Sequence, residues 1–221
     1  MASDTRFVHA LALGVDSEWR RLGDAERRRS ARAFAAACEP ADGAVTLGYS
    51  LIGLRSEAEL LLWSMGPSLE AVEERAAASL RAGLGRWAAV RESFFGVLTP
   101  SPYVRRRRPA EPRPFGGAGA RYLIVYPFTK GGHWYRLGAP ARQAIMAEHM
   151  RVGRRYPQVR QLLASSFGVD DQDHLVAYGT DELAAFSRLV RELRGTDARR
   201  YTTRDIPVLA GVRRPLAAMA G

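Results

Sequence analysis

The apolar positions of the chain change period several times, and the changes mark its elements. Phe7–Leu13 (F-V-H-A-L-A-L) is an apolar run of strand length. Asp16 or Ser17 can cap the helix that follows, which carries Leu22, Ala25, Ala31 and Phe34 to about Ala37. Pro40, Asp42 and Gly43 make a turn. Val45–Leu51 and Glu59–Met65 read as strands on either side of a loop with Gly53, Arg55 and Ser56. From Leu69 to about Leu80 the apolar residues Val72, Ala76 and Leu80 recur at four-residue spacing, which is one helix face, with Pro67 and Ser68 at its entrance. Trp87–Leu98 reads as a long strand. This is the β-α-β-β-α-β order of a ferredoxin-like unit.

The stretch Thr99–Ala120 breaks the pattern and predicts a connector. Its glycines precede a strand instead of joining a strand to a helix, so they do not form a phosphate loop. The same order then returns. Arg121–Tyr126 predicts a strand that Pro127 ends. Pro140 suits the first turn of a helix to about Tyr156. Val159–Phe167 and His174–Gly179 predict strands. Asp181 is the expected cap of a helix over Glu182–Arg194, and Thr203–Val212 predicts the final strand. The expected fold is α+β: two ferredoxin-like halves, 1–98 and 121–221, joined by 99–120 into a barrel-like sheet of dimeric α+β type with helices outside.

The chemistry is sparse in the first half and concentrated after it. His9 and Trp63 read as structural residues. Cys38 is the single cysteine, so an intrachain disulfide and a cysteine-based zinc or iron–sulfur site are excluded. No apolar run approaches membrane-spanning length, and the opening residues M-A-S-D-T-R lack the apolar core of a signal peptide, which predicts a cytoplasmic protein. The net charge is +10, and Lys130 is the only lysine among the 33 basic side chains. Nucleic-acid binding is the first reading of such a charge. The arginines are spread along predicted helices, except for Arg105–Arg108, and no zinc-finger spacing or aromatic RNA-binding strand accompanies them. A basic surface equally suits an anionic small ligand.

In the predicted helix at 140–156, Ile145, His149, Val152 or Gly153, and Tyr156 recur along one stripe. His149 is then either a buried structural histidine or an axial ligand to an iron porphyrin, with Gly153 leaving room for a flat ring. Tyr126 lies at a strand end and Lys130 just beyond. Gln161 lies on the next strand, where its amide can hydrogen-bond but cannot transfer protons.

The runs Y-P-F-T-K (126–130), E-H-M-R-V-G-R-R-Y (148–156), S-F-G-V-D-D (166–171) and R-R-Y-T-T-R-D-I-P (199–207) resemble the chlorite dismutase-like superfamily, in particular its coproheme decarboxylase branch. The resemblance covers nearly the whole chain and is most specific over Tyr122–Pro207. It implies two ferredoxin-like halves per subunit and a homopentamer. It implies heme b or iron coproporphyrin III (coproheme) as cofactor or substrate, with hydrogen peroxide as co-substrate. His149 matches the proximal iron ligand, Gln161 the distal residue, Tyr126 the radical-forming tyrosine and Lys130 a lysine beside the propionates. Asp197 falls near a carboxylate that supports the proximal histidine, one methylene shorter than the usual glutamate. Chlorite-converting members carry arginine at the distal position. Gln161 replaces it, and the adjacent Arg160 should point to the opposite face of its strand. Phe128 departs from a methionine common in the decarboxylases. His133 and His174 are the remaining candidates for a distal base. The implied activity is oxidative decarboxylation of coproheme to heme b, within heme biosynthesis. The alternatives are chlorite dismutation, weak peroxidase activity, or non-catalytic heme binding or transfer.

Overall fold

The first strand is longer than its apolar run. In the computed structural model, which describes residues 6–98 and 119–219, β1 spans Arg6–Val15. It pairs antiparallel with β3 (Leu60–Gly66) on one side and β4 (Ala88–Leu98) on the other. β1 is thus a central strand, and its residues Val8 and Ala10–Leu13 are all buried. β2 (Val45–Ser50) extends the sheet beyond β3. His9 settles beside Ser93 of β4, with Nε2 and Oγ 2.9 Å apart.

The expected first helix is two pieces. Asp16 caps a 3-10 turn over Ser17–Arg21, accepting from the Glu18 N–H at 2.9 Å. The helix α1 begins only at Asp24, after Gly23, and runs to Ala37. The second helix, α2 (Leu69–Arg81), starts where Ser68 Oγ accepts from the Ala71 N–H at 3.1 Å. Phe34 and Ala31 of α1 pack with Leu11, Leu13, Trp19, Leu60, Leu62 and Leu84. Cys38 lies in this core, 1% exposed, and burial pushes its thiol up to about 12, so it is inert at neutral pH.

After the connector, β5 spans Tyr122–Lys130. The strand expected to stop at Pro127 therefore runs straight through it, with Pro127 paired to Leu175. A proline in a strand forfeits only the ladder bond that its own N–H would have made. A short helix absent from the sequence reading, α3 (Gly132–Arg136), precedes α4 (Ala139–Gly153). β6 (Arg160–Ser165) and β7 (His174–Thr180) pair antiparallel, and β7 pairs antiparallel with β5. The helix α5 (Leu183–Arg194) follows. Asp181 does not cap it. Its Oδ1 accepts from the Arg121 N–H at 2.7 Å, while Thr180 Oγ1 accepts from Glu182 N–H at 3.0 Å.

The single final strand expected over Thr203–Val212 is two strands. β8 (Thr202–Arg204) pairs with the end of β5, whereas β9 (Leu209–Arg213) pairs with β2. Contacts accordingly divide the chain into two compact units, Met1–Thr99 with Leu209–Gly221, and Pro100–Val208. Met219 belongs to the core of the first.

Both units follow the β-α-β-β-α-β order, with strand orders β4-β1-β3-β2-β9 and β6-β7-β5-β8. The expectation of a barrel-like sheet is corrected. A barrel needs a ring in which every strand has two neighbours. Within each unit the order is linear, and the architecture is α+β, a multi-stranded antiparallel sheet with several helices. The arginine run Arg105–Arg108 lies outside the described residues.

Candidate functional site

The register of the second unit determines which side chains share a face. Directly paired residues of an antiparallel ladder point the same way. Gln161 pairs with Tyr178, and Tyr178 with Ile124. Leu163 pairs with Val176, and Val176 with Tyr126; Ser165 pairs with His174, and His174 with Phe128. One face of β6-β7-β5 therefore carries Gln161, Leu163, Val176, Tyr178, Tyr126, Phe128 and His174. Arg160, one residue before Gln161, belongs to the opposite face, as the alternation predicts. Gln161 is exposed and Leu163 is 44% exposed, so this face is incompletely covered by protein.

Lys130 ends β5. Its Nζ donates to the Ala198 carbonyl at 2.7 Å and lies 5.1 Å from the Phe128 ring centroid and 4.8 Å from that of Trp134. Burial pulls its ammonium down to about 8, with the Arg199 guanidinium adding to the shift. A lysine so placed still carries its charge at neutral pH.

His149 lies on α4. Only Val152 of this helix is fully buried, and Ile145, Met146, His149 and Met150 are half-buried. The apolar side of this helix is therefore only partly covered by protein. The His149 Nδ1 is buried and has no hydrogen-bond partner. Burial holds the imidazole below the ordinary histidine range. Lys130 lowers it further and Glu148 opposes. His149 is thus neutral at pH 7, the form that binds a metal. Among the described residues, no group of three or more His, Cys, Asp or Glu side chains could hold a metal ion. A metal held by His149 would therefore bring further ligands with it, as a porphyrin does. The orphaned ring nitrogen, the neutral imidazole and the half-buried apolar residues around it fit such a group.

Asp197 sits elsewhere in chemical terms. Its carboxylate is 60% exposed and lies 3.4 Å from Arg200 Nε. Only its backbone approaches the histidine's helix, donating to Glu148 Oε2 at 3.1 Å. His133 is exposed on α3, its Nδ1 beside Arg136 at 3.2 Å. His174 packs among Phe128 and Phe167, with ring centroids 6.4 and 5.1 Å away, and its Nδ1 is buried without a partner.

The structure therefore brings Tyr126 and Gln161 to one sheet face, places Lys130 Nζ 5.1 Å from the ring of Phe128 on that face, and sets His149 within electrostatic reach of Lys130. It does not join Asp197 to them through its side chain. The sequence reading overlooked Tyr178, which stacks on Tyr126, and the Asp205 carboxylate, which Arg199 holds at 2.6 Å near Tyr126. Asp205 stands inside the R-R-Y-T-T-R-D-I-P run, whereas Tyr178 becomes visible only through strand register.

The chlorite dismutase family profile matches residues 27–214. The chain belongs to that family. It is 31% identical over 173 residues to the coproheme decarboxylase of Mycolicibacterium smegmatis, covering 77% of this chain and 74% of that protein. A mutant chlorite dismutase from Candidatus Nitrospira defluvii superposes with a TM-score of 0.86 at 28% identity, over 97% of this chain and 94% of that one. The same organism's chlorite dismutase in complex with imidazole gives 0.87 at 26%, over 97% and 93%. Family membership places the chain among the heme-binding oxidoreductases of the chlorite dismutase and coproheme decarboxylase superfamily. No helix among the described residues is long and apolar enough to cross a membrane.

Proposed function

We propose that this chain is a heme-dependent oxidoreductase that decarboxylates coproheme to heme b with hydrogen peroxide. The observation that carries the decarboxylase reading is Gln161. Gln161 puts a neutral amide on the incompletely covered sheet face, while Arg160 belongs to the other face. An arginine at that point would offer a fixed charge to an anionic oxidant; a glutamine orients a neutral one by hydrogen bonds alone. The sequence identity to a coproheme decarboxylase supports the same choice.

Iron in the substrate would supply the redox chemistry, and its propionates the carboxyl groups that leave as carbon dioxide. The protein's share is position and electrostatics. The His149 imidazole, whose proton affinity burial lowers, would be the residue that holds the iron. Lys130 Nζ, pulled partly out of water, offers a charged donor for a propionate. Tyr126 Oη is the candidate donor of an electron and a proton to the oxidised substrate. Its phenol is held above the ordinary tyrosine range, by burial first, so it is fully protonated at neutral pH. Asp197 fits only as a weak contributor, since its carboxylate faces Arg200. A homopentamer belongs to the same proposal.

The near full-length likeness to solved chlorite dismutases favours a second reading, chlorite dismutation or weak peroxidase activity. One experiment separates them. Purified protein with iron coproporphyrin III and peroxide should release carbon dioxide and convert the porphyrin mass to that of heme b. Sustained oxygen evolution from chlorite with an unchanged porphyrin mass would replace the proposal by the second reading. Tight porphyrin binding with neither product would leave a heme-binding or heme-transfer protein. His149→Ala should abolish the Soret shift on porphyrin addition, and its persistence would sink the ligand assignment.

A further inference from the structure

Asp173 ends the loop between β6 and β7, and its backbone carbonyl accepts from the Ser166 N–H at the loop's other end, at 2.9 Å. Its side chain reaches out of the loop toward β5. The β5–β7 ladder stops at the pair Phe128 and His174. Two residues beyond, the Lys130 N–H donates to Asp173 Oδ2 at 2.7 Å, so a side-chain oxygen takes over where the strand pairing has ended. On the other edge of β5, the register with β8 slips between Thr129 and Lys130. A slip of this kind bends the strand and re-aims the side chains beside it. Lys130 thus leaves the sheet where the ladder has stopped on one edge and is irregular on the other, and the Asp173 carboxylate holds its backbone there.

The same Oδ2 accepts from the Tyr135 O–H. Tyr135 belongs to α3, and the residue before it, Trp134, is buried and lies 4.8 Å from Lys130 Nζ. One oxygen therefore joins the backbone of Lys130 to the helix that supplies an aromatic wall for its ammonium. Phe128 is the other wall, and the Ala198 carbonyl accepts from Nζ at 2.7 Å. A lysine has a flexible stem, so its charge keeps one place only when its backbone and the walls around it are fixed.

We propose that Asp173 is a positioning residue for Lys130: its carboxylate ties the end of β5 to α3 and so holds the Lys130 ammonium beside Phe128 on the site face before any ligand arrives. The functional half of this rests on the reading of Lys130 as the partner of a ligand carboxylate. The placement of the lysine is tested without a ligand.

Lys130 is the only lysine, so protein labelled with carbon-13 at the lysine ε carbon gives one lysine signal that needs no assignment. Ring currents from Phe128 and Trp134 should displace its ε protons upfield. Asp173→Ala should return them toward the position of a free lysine. Tyr135→Phe, which removes one of the two bonds to the carboxylate and keeps the ring that packs on Phe167, should move them part of the way. A signal unmoved in either folded variant would overturn the proposal. Absorbance titration with iron coproporphyrin III then asks whether Asp173 acts through the lysine. Asp173→Ala and Lys130→Met should each weaken binding about tenfold, and the double variant should bind no more weakly than Lys130→Met alone. Losses that multiply in the double variant would overturn the positioning role. Wild-type affinity in Lys130→Met would instead defeat the reading of Lys130 as a ligand partner, with the lysine signal still deciding what holds it.

Discussion

The residue whose chemistry departs furthest from what its sequence context suggests is Lys130. A lone lysine after a strand reads as solvated, yet this one is wedged against Phe128 and Trp134 and donates to a backbone carbonyl. Its charged form is disfavoured by burial, so the protonated ammonium is lost as pH rises through about 8. In the unfolded chain it would hold its proton to the ordinary 10.5. The folded state therefore binds fewer protons between those values, and stability gains from this group as pH rises across that window. For a carboxylate ligand the sign is opposite. Affinity should fall above pH 8, displaced somewhat upward because the bound anion favours the ammonium. Porphyrin titrations across that range should show the fall, and Lys130→Met should remove it while lowering affinity roughly tenfold at pH 7. A pH-independent wild type would refute the contact.

At the scale of elements, the first unit depends on close backbone approaches that side-chain periodicity does not signal. Gly83 adopts φ +47°, and a Cβ there would lie 1.9 Å from the Ser30 carbonyl of α1. Gly83→Ala combines backbone strain with a clash against a helix that has no room to shift. It should cost ~2–4 kcal/mol, read as a lower urea midpoint. The helices' own signals were easier to read. Ser68 was expected at the start of α2 and accepts the bond a cap should accept. Asp181 looked equally suitable for α5, but the Arg121 N–H takes its carboxylate. A cap is local; a competing partner sixty residues away is not. Pro127 failed as a stop signal for a similar reason, because the cost of a missing N–H depends on which way that N–H would have pointed.

At the scale of the whole molecule, the net charge of +10 is a property that every anionic ligand meets before it reaches the site. Coproporphyrin carries more carboxylates than heme b, so of these two porphyrins it should be drawn more strongly. Its association rate should fall roughly tenfold from low to physiological ionic strength, and stopped-flow absorbance would report it. Equal rates at both ionic strengths would remove charge steering from the account.

The sequence by itself determined the two β-α-β-β-α-β passes and the family, and it named five candidate site residues. These are legible because strand alternation, helical stripes and short motifs are local. It did not determine that the last predicted strand divides, with β9 pairing to β2, or that the strand orders within the units are linear. Nor could it rank Asp197 against Asp205, since both lie in the same charged run and only the partners Arg200 and Arg199 distinguish them. Tyr178 shows the limit most clearly. Its meaning comes from register: a shift of one residue between β6 and β7 would turn it away from the face that carries Gln161. Pairing between strands is fixed by the packed sheet, and no single segment of the chain contains it.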